Sequence, residues 1–178
     1  KKYDVPYVVT LRMSPFPFPE YLKKGKLNSS LFKVLSNANR LLATSHSLKH
    51  RVRSFGLKNV EVVHNPVDID FFTKQENDSF HQSIRLLSVG RLESQKGFDV
   101  LIRAMLKVSA EAHLDIIGEG TEHKKLQRQI DDLQLNHRVL LHGEKSRVGV
   151  RQFMQGADGY VLSSRHETFG NVLLEAMA

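Results

Sequence analysis

The sequence predicts an α/β fold built on parallel sheets, and three observations lead to this prediction. Short apolar runs rich in β-branched residues, typical of buried strands, recur along the chain. In residues 84–178 these runs alternate with helical segments, in the order expected of βαβ units. Residues 66–83 are polar and lack a sustained hydrophobic period, so we predict that they link a domain of residues 1–65 to a domain of residues 84–178.

The first predicted domain contains short strands and two helices. The strands are predicted at Val5–Leu11, Leu41–Thr44 and Val60–Val63, and the helices at Ser30–Ala38 and His46–Phe55. Ser45 is suited to cap the second helix, and Gly56 is suited to end it. The three prolines of Ser14–Glu20 remove backbone donors, so this segment is predicted to be a loop.

The second predicted domain repeats a strand–helix unit. Its strands are predicted at Ile84–Val89, Leu114–Ile117, Val139–Leu141 and Tyr160–Leu162, and its helices at Phe98–Val108, Thr121–Leu133, Val148–Gln155 and from Asn171 onwards. Parallel sheets bind ligands at the carboxyl ends of their strands, so we expect the loops after the strands to carry the functional residues. The first residue is not Met, and the chain stops at Ala178 without a helix-capping signal. We therefore expect a fragment in which both domains are incomplete.

Composition excludes several classes of site. The chain has no cysteine, which rules out disulfide scaffolds, thiolate metal sites and cysteine nucleophiles. No apolar run has the length of a membrane span. Residues 1–71 contain 12 Lys+Arg and five Asp+Glu, whereas residues 72–178 contain 14 of each. The basic part indicates either a solvated surface or contact with nucleic acid, anionic lipid or a phosphorylated ligand.

The loop Gly90–Gly97 has residues suited to binding phosphate. Gly90 permits close backbone approach, Arg91 offers a planar fork of donors and Lys96 offers a point charge. The loop also leads into a helix N-terminus, which favours anions. The loop is not a P-loop, because the G-x-x-x-x-G-K-[ST] order is absent. The alternative is a surface loop with ordinary charges.

The loop Ser163–Gly170 opens the last helix. Backbone N–H groups of Gly170 and Asn171 would stand at the helix start, where they can hold a diphosphate. Glu175 is surrounded by apolar residues and would be costly to bury without partners. A carboxylate in this position suits ribose hydroxyls, although a salt-bridged helix glutamate is the alternative.

Two other patterns in the chain are weaker evidence for a functional site. Gly118-Glu-Gly120 and the loop after Gly143 are explained equally well by tight turns. His46 and His50 have the i, i+4 spacing of zinc ligands but lack a third ligand, so a solvated pair is expected and no metal site is predicted.

In their order and spacing these segments resemble the retaining GT-B glycosyltransferases of family four (glycosyl transferases group 1). The most specific segments are VGRLESQKGFDVLIRA (89–104) and SSRHETFGNVLLEAMA (163–178). HNPVD (64–68) is similar to the family's junction between two Rossmann-like domains, and IIGEG (116–120) and VLLHGE (139–144) are similar to its second and third strand ends.

The resemblance implies roles for the residues of these loops. Arg91 and Lys96 match the basic pair that neutralises the donor diphosphate. Glu167 matches the first glutamate of the family's E-x7-E motif, which positions the transferred sugar, and Glu175 matches the second, which binds the ribose hydroxyls.

The resemblance also implies backbone contacts to the donor. Phe169, Gly170, Asn171 and Val172 match the turn whose backbone meets the phosphates, and the loop after Gly143 lies where the family seats the base. The family's N-terminal domain often has a histidine after its first matching strand, whereas this chain has Arg12, so no acceptor-side role is carried over to that position.

The implied activity is metal-independent transfer of a sugar from a nucleoside-diphosphate sugar, with a UDP- or GDP-sugar expected as donor and no cofactor. The implied acceptor is a glycan or a lipid-linked precursor. The resemblance also implies a cytoplasmic enzyme, with peripheral contact to the inner face of an anionic membrane through basic residues: Lys23, Lys24, Lys26, Lys49, Arg51 and Arg53. We expect the isolated 178-residue chain to be inactive.

Three alternatives remain open. Another GT-B enzyme, such as a nucleotide-sugar 2-epimerase or a phosphorylase, would share these motifs. A non-catalytic nucleotide-sugar-binding protein would also keep the phosphate-binding residues. Nucleic-acid binding is suggested only by the basic first half, and no recognisable motif supports it, so no nucleic-acid partner is expected.

Overall fold

The structure is a computed structural model that describes residues 5–12, 16–73 and 83–178. It confirms the predicted α/β class with parallel sheets. The chain forms two compact units. The first unit comprises residues 1–66 and 166–170, and the second unit comprises residues 67–165 and 171–178.

The helices and strands follow the predicted order with small shifts at their ends. The strands are β1 (Val8–Leu11), β2 (Leu22–Lys23), β3 (Lys26–Leu27), β4 (Arg40–Ala43), β5 (Val60–Val62), β6 (Arg85–Val89), β7 (His113–Ile117), β8 (Val139–Leu141) and β9 (Gly159–Tyr160). The helices are α1 (Ser29–Ser36), α2 (His46–Arg53), α3 (Ile69–Phe72), α4 (Phe98–Ala104), α5 (His123–Asp132), α6 (Arg147–Gly156) and α7 (Asn171–Met177).

The first unit is built on a parallel sheet of order β1-β4-β5. Ala43 of β4 and Val52 of α2 are fully buried in its core. Ser45 caps α2 as predicted, since its side chain accepts a hydrogen bond of 3.2 Å from the backbone N–H of Leu48. The antiparallel hairpin β2–β3 is not predicted, because strands of two residues are too short to show an alternating pattern.

The second unit contains a parallel sheet of order β8-β7-β6-β9. The chain moves outwards from β6 to β7 and β8 and then returns to place β9 on the other side of β6. Ile102 and Met105, from α4 and the 3₁₀ turn after it, are fully buried with Leu114 and Ile130. The strand order therefore reverses between β6 and β9, which is where open α/β sheets bind ligands.

The predicted linker 66–83 is only partly irregular. Ile69–Phe72 forms α3, which Asp68 caps by accepting a hydrogen bond of 3.2 Å from the backbone N–H of Phe71. Phe72 is buried, and the guanidinium of Arg147 lies 4.3 Å from the ring centre of Phe71. A single helical turn is too short to show a hydrophobic period, so its packing on the second unit could not be predicted.

Some predicted segments extend past the described residues. Residues 14 and 15 of the predicted proline-rich loop and residues 74–82 of the predicted linker lie outside them. Within residues 5–12, 16–73 and 83–178, every helix is too short or too polar to span a bilayer.

Candidate functional site

The carboxyl ends of β6 and β9 are held side by side. The hydroxyl of Ser88, a buried polar residue in β6, donates a hydrogen bond of 2.7 Å to the carbonyl oxygen of Val161. The backbone N–H of Val161 in turn donates to the carbonyl oxygen of Leu87, at 2.8 Å. These bonds extend the pairing of the two strands, so the loops that follow them start from one fixed edge.

The loop Gly90–Gly97 is tied to the residues that follow β9. The hydroxyl of Ser163 donates to the carbonyl oxygen of Lys96, at 2.8 Å. A side chain at Gly97, which has φ +67°, would collide with the carbonyl oxygen of Ser163. Gly97 is therefore required both for its left-handed conformation and for the close approach of the two loops.

Arg165 adds a second connection between these loops. Its backbone N–H donates to the carbonyl oxygen of Gln95 at 2.8 Å, and its guanidinium donates to the carbonyl oxygen of Ser94. The same guanidinium donates to both carboxylate oxygens of Asp99 in α4, at 2.8 Å each. Nη2 of Arg165 thus bonds Asp99 while Nη1 bonds Ser94, and the two bonds together fix the orientation of the guanidinium.

The carboxyl of Asp99 is tuned by this arrangement. Partial burial alone would raise its pKa, but hydrogen bonds and charges from Arg165 and from Arg103 outweigh burial and lower the pKa below its usual value. Asp99 therefore remains ionised and holds Arg165 in place.

Lys96 and Arg91, the predicted phosphate-binding cations, differ in how they are held. The alkyl chain of Lys96 lies over Gly90, where a β-carbon would be 3.5 Å from its Cδ and Cε atoms. Gly90 thus leaves room for the lysine stem beside the end of β6. Arg91 is exposed in the loop itself.

The glycines after β7 serve packing. A side chain at Gly118 would collide with the carbonyl oxygen of Gly90, and one at Gly120 would collide with the backbone of Leu92. The backbone N–H of Gly118 donates to the carbonyl oxygen of Gly143 at 2.9 Å. The loops after β6, β7 and β8 are therefore joined through their backbones. This close packing explains the two glycines of Gly118-Glu-Gly120, and hydrophobic periodicity in the sequence could not reveal it.

The residues 166–170 pack with the first unit. The ring of Phe169 stacks on that of His64, with 5.2 Å between the centroids and an interplanar angle of 18°. The Nδ1 atom of His64 is 2.9 Å from the carbonyl oxygen of Thr44. Glu167 is exposed, and its carboxylate accepts a hydrogen bond of 3.3 Å from the backbone N–H of Thr168.

Glu175 faces the interior of the second unit. It is half-buried in α7 and lines a cavity of about 180 Å³ together with Phe72 and Tyr160. Burial raises its pKa, and the charge of Arg147 reduces this effect. Neither Arg91 nor Lys96 is among the described residues that line this cavity.

The predicted site residues are thus divided between the two units. The second unit holds Gly90, Arg91, Lys96, Gly143, Asn171, Val172 and Glu175, and the first unit holds Glu167, Phe169 and Gly170. The structure brings Gly90 and Lys96 together with the loop after β9. Arg165 and Asp99 were missed, because a pair 66 residues apart leaves no periodic signal in the sequence.

Two family profiles match the chain. The profile described as "Glycosyl transferases group 1" matches residues 70–178, and the profile described as "Glycosyltransferase Family 4" matches residues 1–71. Both profiles agree with the resemblance inferred from the motifs.

Curated relatives are similar over most of the chain. An N-acetylgalactosaminyltransferase acting on a diphospho-undecaprenol acceptor in Campylobacter jejuni is 30% identical over 87% of this chain and 44% of its own length. Lipopolysaccharide 1,6-galactosyltransferase of Salmonella typhimurium is 30% identical over 92% of this chain and 46% of its own length. The chain spans about half the length of the curated relatives it matches, or less.

Solved structures share the fold. The Anabaena protein Alr3699/HepE, in complex with UDP and glucose, superposes with a TM-score of 0.83 at 23% identity, over 97% of this chain and 50% of that one. Sucrose-phosphate synthase from Thermosynechococcus elongatus superposes with a TM-score of 0.84 at 17% identity, over 99% of this chain and 49% of that one. With its parallel sheets of the GT-B type and a profile match to more than half of its residues, the chain belongs to the glycosyl transferases group 1 family.

Proposed function

We propose that the protein transfers a sugar from a nucleoside-diphosphate sugar to an acceptor, with retention of anomeric configuration and without a metal ion. The observation that carries the proposal is the joined pair of loops after β6 and β9. They present Lys96 at the point where the strand order of the sheet reverses. Family membership supports the same chemistry.

Catalysis in this proposal is mainly electrostatic. When the sugar leaves, negative charge grows on the β-phosphate of the nucleoside diphosphate. Arg91 and Lys96 stabilise this charge, and fixed cations act more strongly on the transition state than on the ground state. The loop contacts of Ser163 hold Lys96 before the donor arrives, which lowers the cost of reorganisation.

The remaining predicted residues bind the rest of the donor. Glu175 is proposed to hold the ribose hydroxyls, and Glu167 the transferred sugar. The turn from Phe169 through Gly170 and Asn171 to Val172 is proposed to offer backbone N–H groups to the phosphates, and the Gly143 loop to seat the base. No residue is assigned as a covalent nucleophile.

The donor is proposed to be a UDP- or GDP-sugar. A relative from Streptococcus agalactiae, 34% identical over 67% of this chain, is named as a UDP-N-acetylglucosamine-dependent peptide transferase subunit. The acceptor is proposed to be a glycan or a lipid-linked precursor, as in the names of the Campylobacter and Salmonella relatives. A cytoplasmic location at the inner face of the membrane would suit such an acceptor.

The proposal is tested by product analysis. The full-length protein is incubated with labelled UDP-, GDP- and ADP-sugars and a glycan acceptor, with and without EDTA, and the anomeric configuration of the product is read by NMR. An α-linked product from an α-linked donor, formed equally in EDTA, is expected. Formation of an epimer, cleavage dependent on inorganic phosphate, or donor binding without any product would each contradict the proposal.

We also propose that residues 1–178 alone do not turn over substrate, because they span about half the length of the relatives. The 178-residue chain and the full-length protein are assayed side by side with the donor identified above. Equal turnover by the two would overturn this part of the proposal.

A further inference from the structure

The loop after β8, residues 143–146, is preceded by a hydrogen-bonded pair of polar side chains. Nε2 of His142, the last residue before the loop, lies 2.6 Å from Oδ1 of Asp115 in β7. A carboxylate oxygen can only accept, so Nε2 carries the proton and donates it to Asp115. Nη2 of Arg85 lies 4.0 Å from the other carboxylate oxygen, so two basic side chains flank the carboxylate.

The position of the His142–Asp115 pair in the sheet is unusual for polar side chains. Strands of a parallel sheet are usually apolar on both faces. Leu114 and Ile116, the neighbours of Asp115 in β7, are fully buried on one face, and Asp115 lies on the other face. The side chains of His142 and Asp115 are only 24% and 14% exposed, so both are largely removed from water. An apolar pair would avoid this cost, whereas a hydrogen-bonded pair fixes the orientation of its members.

The ring of His142 also contacts the helix that follows the loop. The ring centroids of His142 and Phe153 of α6 are 4.7 Å apart, with an interplanar angle of 57°. α6 begins directly after the loop, where the side chain of Ser146 accepts a hydrogen bond of 3.2 Å from the backbone N–H of Gly149. A single side chain therefore bonds the sheet before the loop and packs on the helix after it.

Backbone hydrogen bonds fix the start of the loop more closely. The N–H of His142 donates to the carbonyl oxygen of Ile116 at 2.9 Å, and the carbonyl oxygen of Gly143 accepts from the N–H of Gly118 at 2.9 Å. The next residues, Glu144 and Lys145, are exposed. The part of the loop that is open to a ligand thus begins at a fixed position, and the orientation of His142 contributes to that position.

We infer that His142 and Asp115 are a positioning pair that sets the affinity of this loop for the base of the donor. The inference rests on the proposed function, from which it takes only the seat of the base at the Gly143 loop. The base is remote from the bond that breaks, so contacts to it act equally in the ground state and the transition state. Losing them raises KM for the donor and leaves kcat nearly unchanged.

Isothermal titration of the full-length protein with UDP, GDP and inorganic pyrophosphate separates binding of the base from binding of the phosphates. His142→Phe keeps a ring beside Phe153 but cannot donate to Asp115. We expect its Kd for the nucleoside diphosphate and its KM for the donor to rise about tenfold, the effect of losing one hydrogen bond to a charged group. The Kd for pyrophosphate and kcat should change by less than about twofold.

The possible results distinguish this inference from the proposed function. If the wild type binds neither UDP nor GDP, both fail. If the wild type binds one of them without transferring a sugar, the proposed function fails, and the Kd values still test the inference. An unchanged Kd for the nucleoside diphosphate in His142→Phe, or an equal rise in the Kd values for nucleoside diphosphate and pyrophosphate, overturns the inference alone.

Further variants separate positioning from stability. His142→Gln can still donate to Asp115 through its amide, and its Kd should stay within about threefold of the wild-type value. His142→Phe combined with Asp115→Leu replaces the polar pair by an apolar one, which should recover the free energy of unfolding lost in the single variant. Its Kd for the nucleoside diphosphate should nevertheless remain about tenfold weaker, and wild-type affinity would overturn the inference. His113→Phe exchanges an exposed histidine of β7 and should change none of these values.

Discussion

The two units hold the ends of their parallel strands in different ways. In the second unit, backbone atoms of the loops after β6, β7 and β8 meet directly, with glycines at the closest approaches. In the first unit, side chains make comparable connections: Arg12 donates to the side-chain oxygen of Asn65 at 2.8 Å, and His64 reaches the carbonyl of Thr44. Backbone contacts tolerate little substitution, whereas side-chain contacts can be exchanged.

This difference between the two units indicates where amino-acid substitutions should be tolerated. A site that must present a lysine at one position relative to a diphosphate gains from a rigid backbone, because small displacements of a catalytic group are costly. Arg12 and its partner Asn65 meet through their side chains, so the two residues can change together. We therefore expect the second unit to be sensitive to single glycine substitutions and the first unit to be much less sensitive.

Gly118→Ala is expected to have the largest effect on stability. Gly118 has φ +142°, and a methyl group there would collide with the carbonyl oxygen of Gly90. We therefore expect the free energy of unfolding to fall by about 3 kcal/mol. Gly25→Ala is the matched control, because it also has positive φ but no atom within 4 Å, and about 1 kcal/mol is expected there. Urea unfolding measures both, and similar losses in the two variants would remove the distinction between the units.

Lys96→Met keeps the alkyl chain that covers Gly90 and removes only the charge. If Lys96 stabilises the leaving diphosphate, kcat should fall by about 100-fold or more, with little change in unfolding free energy. Lys107→Met removes a lysine from the surface of the same unit and should leave kcat unchanged. A variant at position 96 with wild-type kcat would exclude Lys96 from the reaction.

Arg165→Lys should loosen the loop connection, because one ammonium nitrogen cannot replace the two guanidinium nitrogens that bond Ser94 and Asp99 separately. A fall of about tenfold in kcat/KM is expected from the displaced loop. Asp99→Asn should have a similar effect, and the double variant should be no worse than either single one. Effects that simply add would show that the two residues act separately.

Asp99 also predicts a pH dependence of stability. The pKa of Asp99 is lower in the folded state than its ordinary value of 3.8. The ionised carboxylate therefore contributes fully to the stability of the fold above pH 3.8, and this contribution is lost as the pH falls through the lower pKa of the folded state. Acid unfolding of Asp99→Asn should therefore lack this part of the pH dependence. An acid unfolding curve identical in shape to that of the wild type would contradict the prediction.

Glu175→Gln should have the smallest effect of these substitutions, and it should raise the free energy of unfolding rather than lower it. The pKa of Glu175 is raised from 4.5, so its ionised form destabilises the folded state at pH values above the folded pKa and has no effect below pH 4.5. The variant should be slightly more stable than the wild type at pH 7.5 and equal to it near pH 4. Denaturant titrations without ligand test this, and lower stability at pH 7.5 would be inconsistent with the raised pKa.

The sequence by itself determined the class of the fold and which loops contain the predicted site residues. Apolar runs such as Leu114–Ile117 fall within observed strands, because burial on both faces of a parallel sheet requires continuous apolar residues. That Gly90, Arg91 and Lys96 share the loop after the first strand of the second unit follows from the sequence alone.

Only the tertiary structure decided which distant residues meet. Three features join segments that have no local pattern in common: the ion pair between Arg165 and Asp99, the backbone approach of Gly118 to Gly90, and the burial of Phe72. The β2–β3 hairpin likewise has no local alternating pattern, and its Leu27 packs against the core of the first unit. Local sequence specifies periodicity and turns, but contacts between remote segments depend on the strand order, which no short-range pattern encodes.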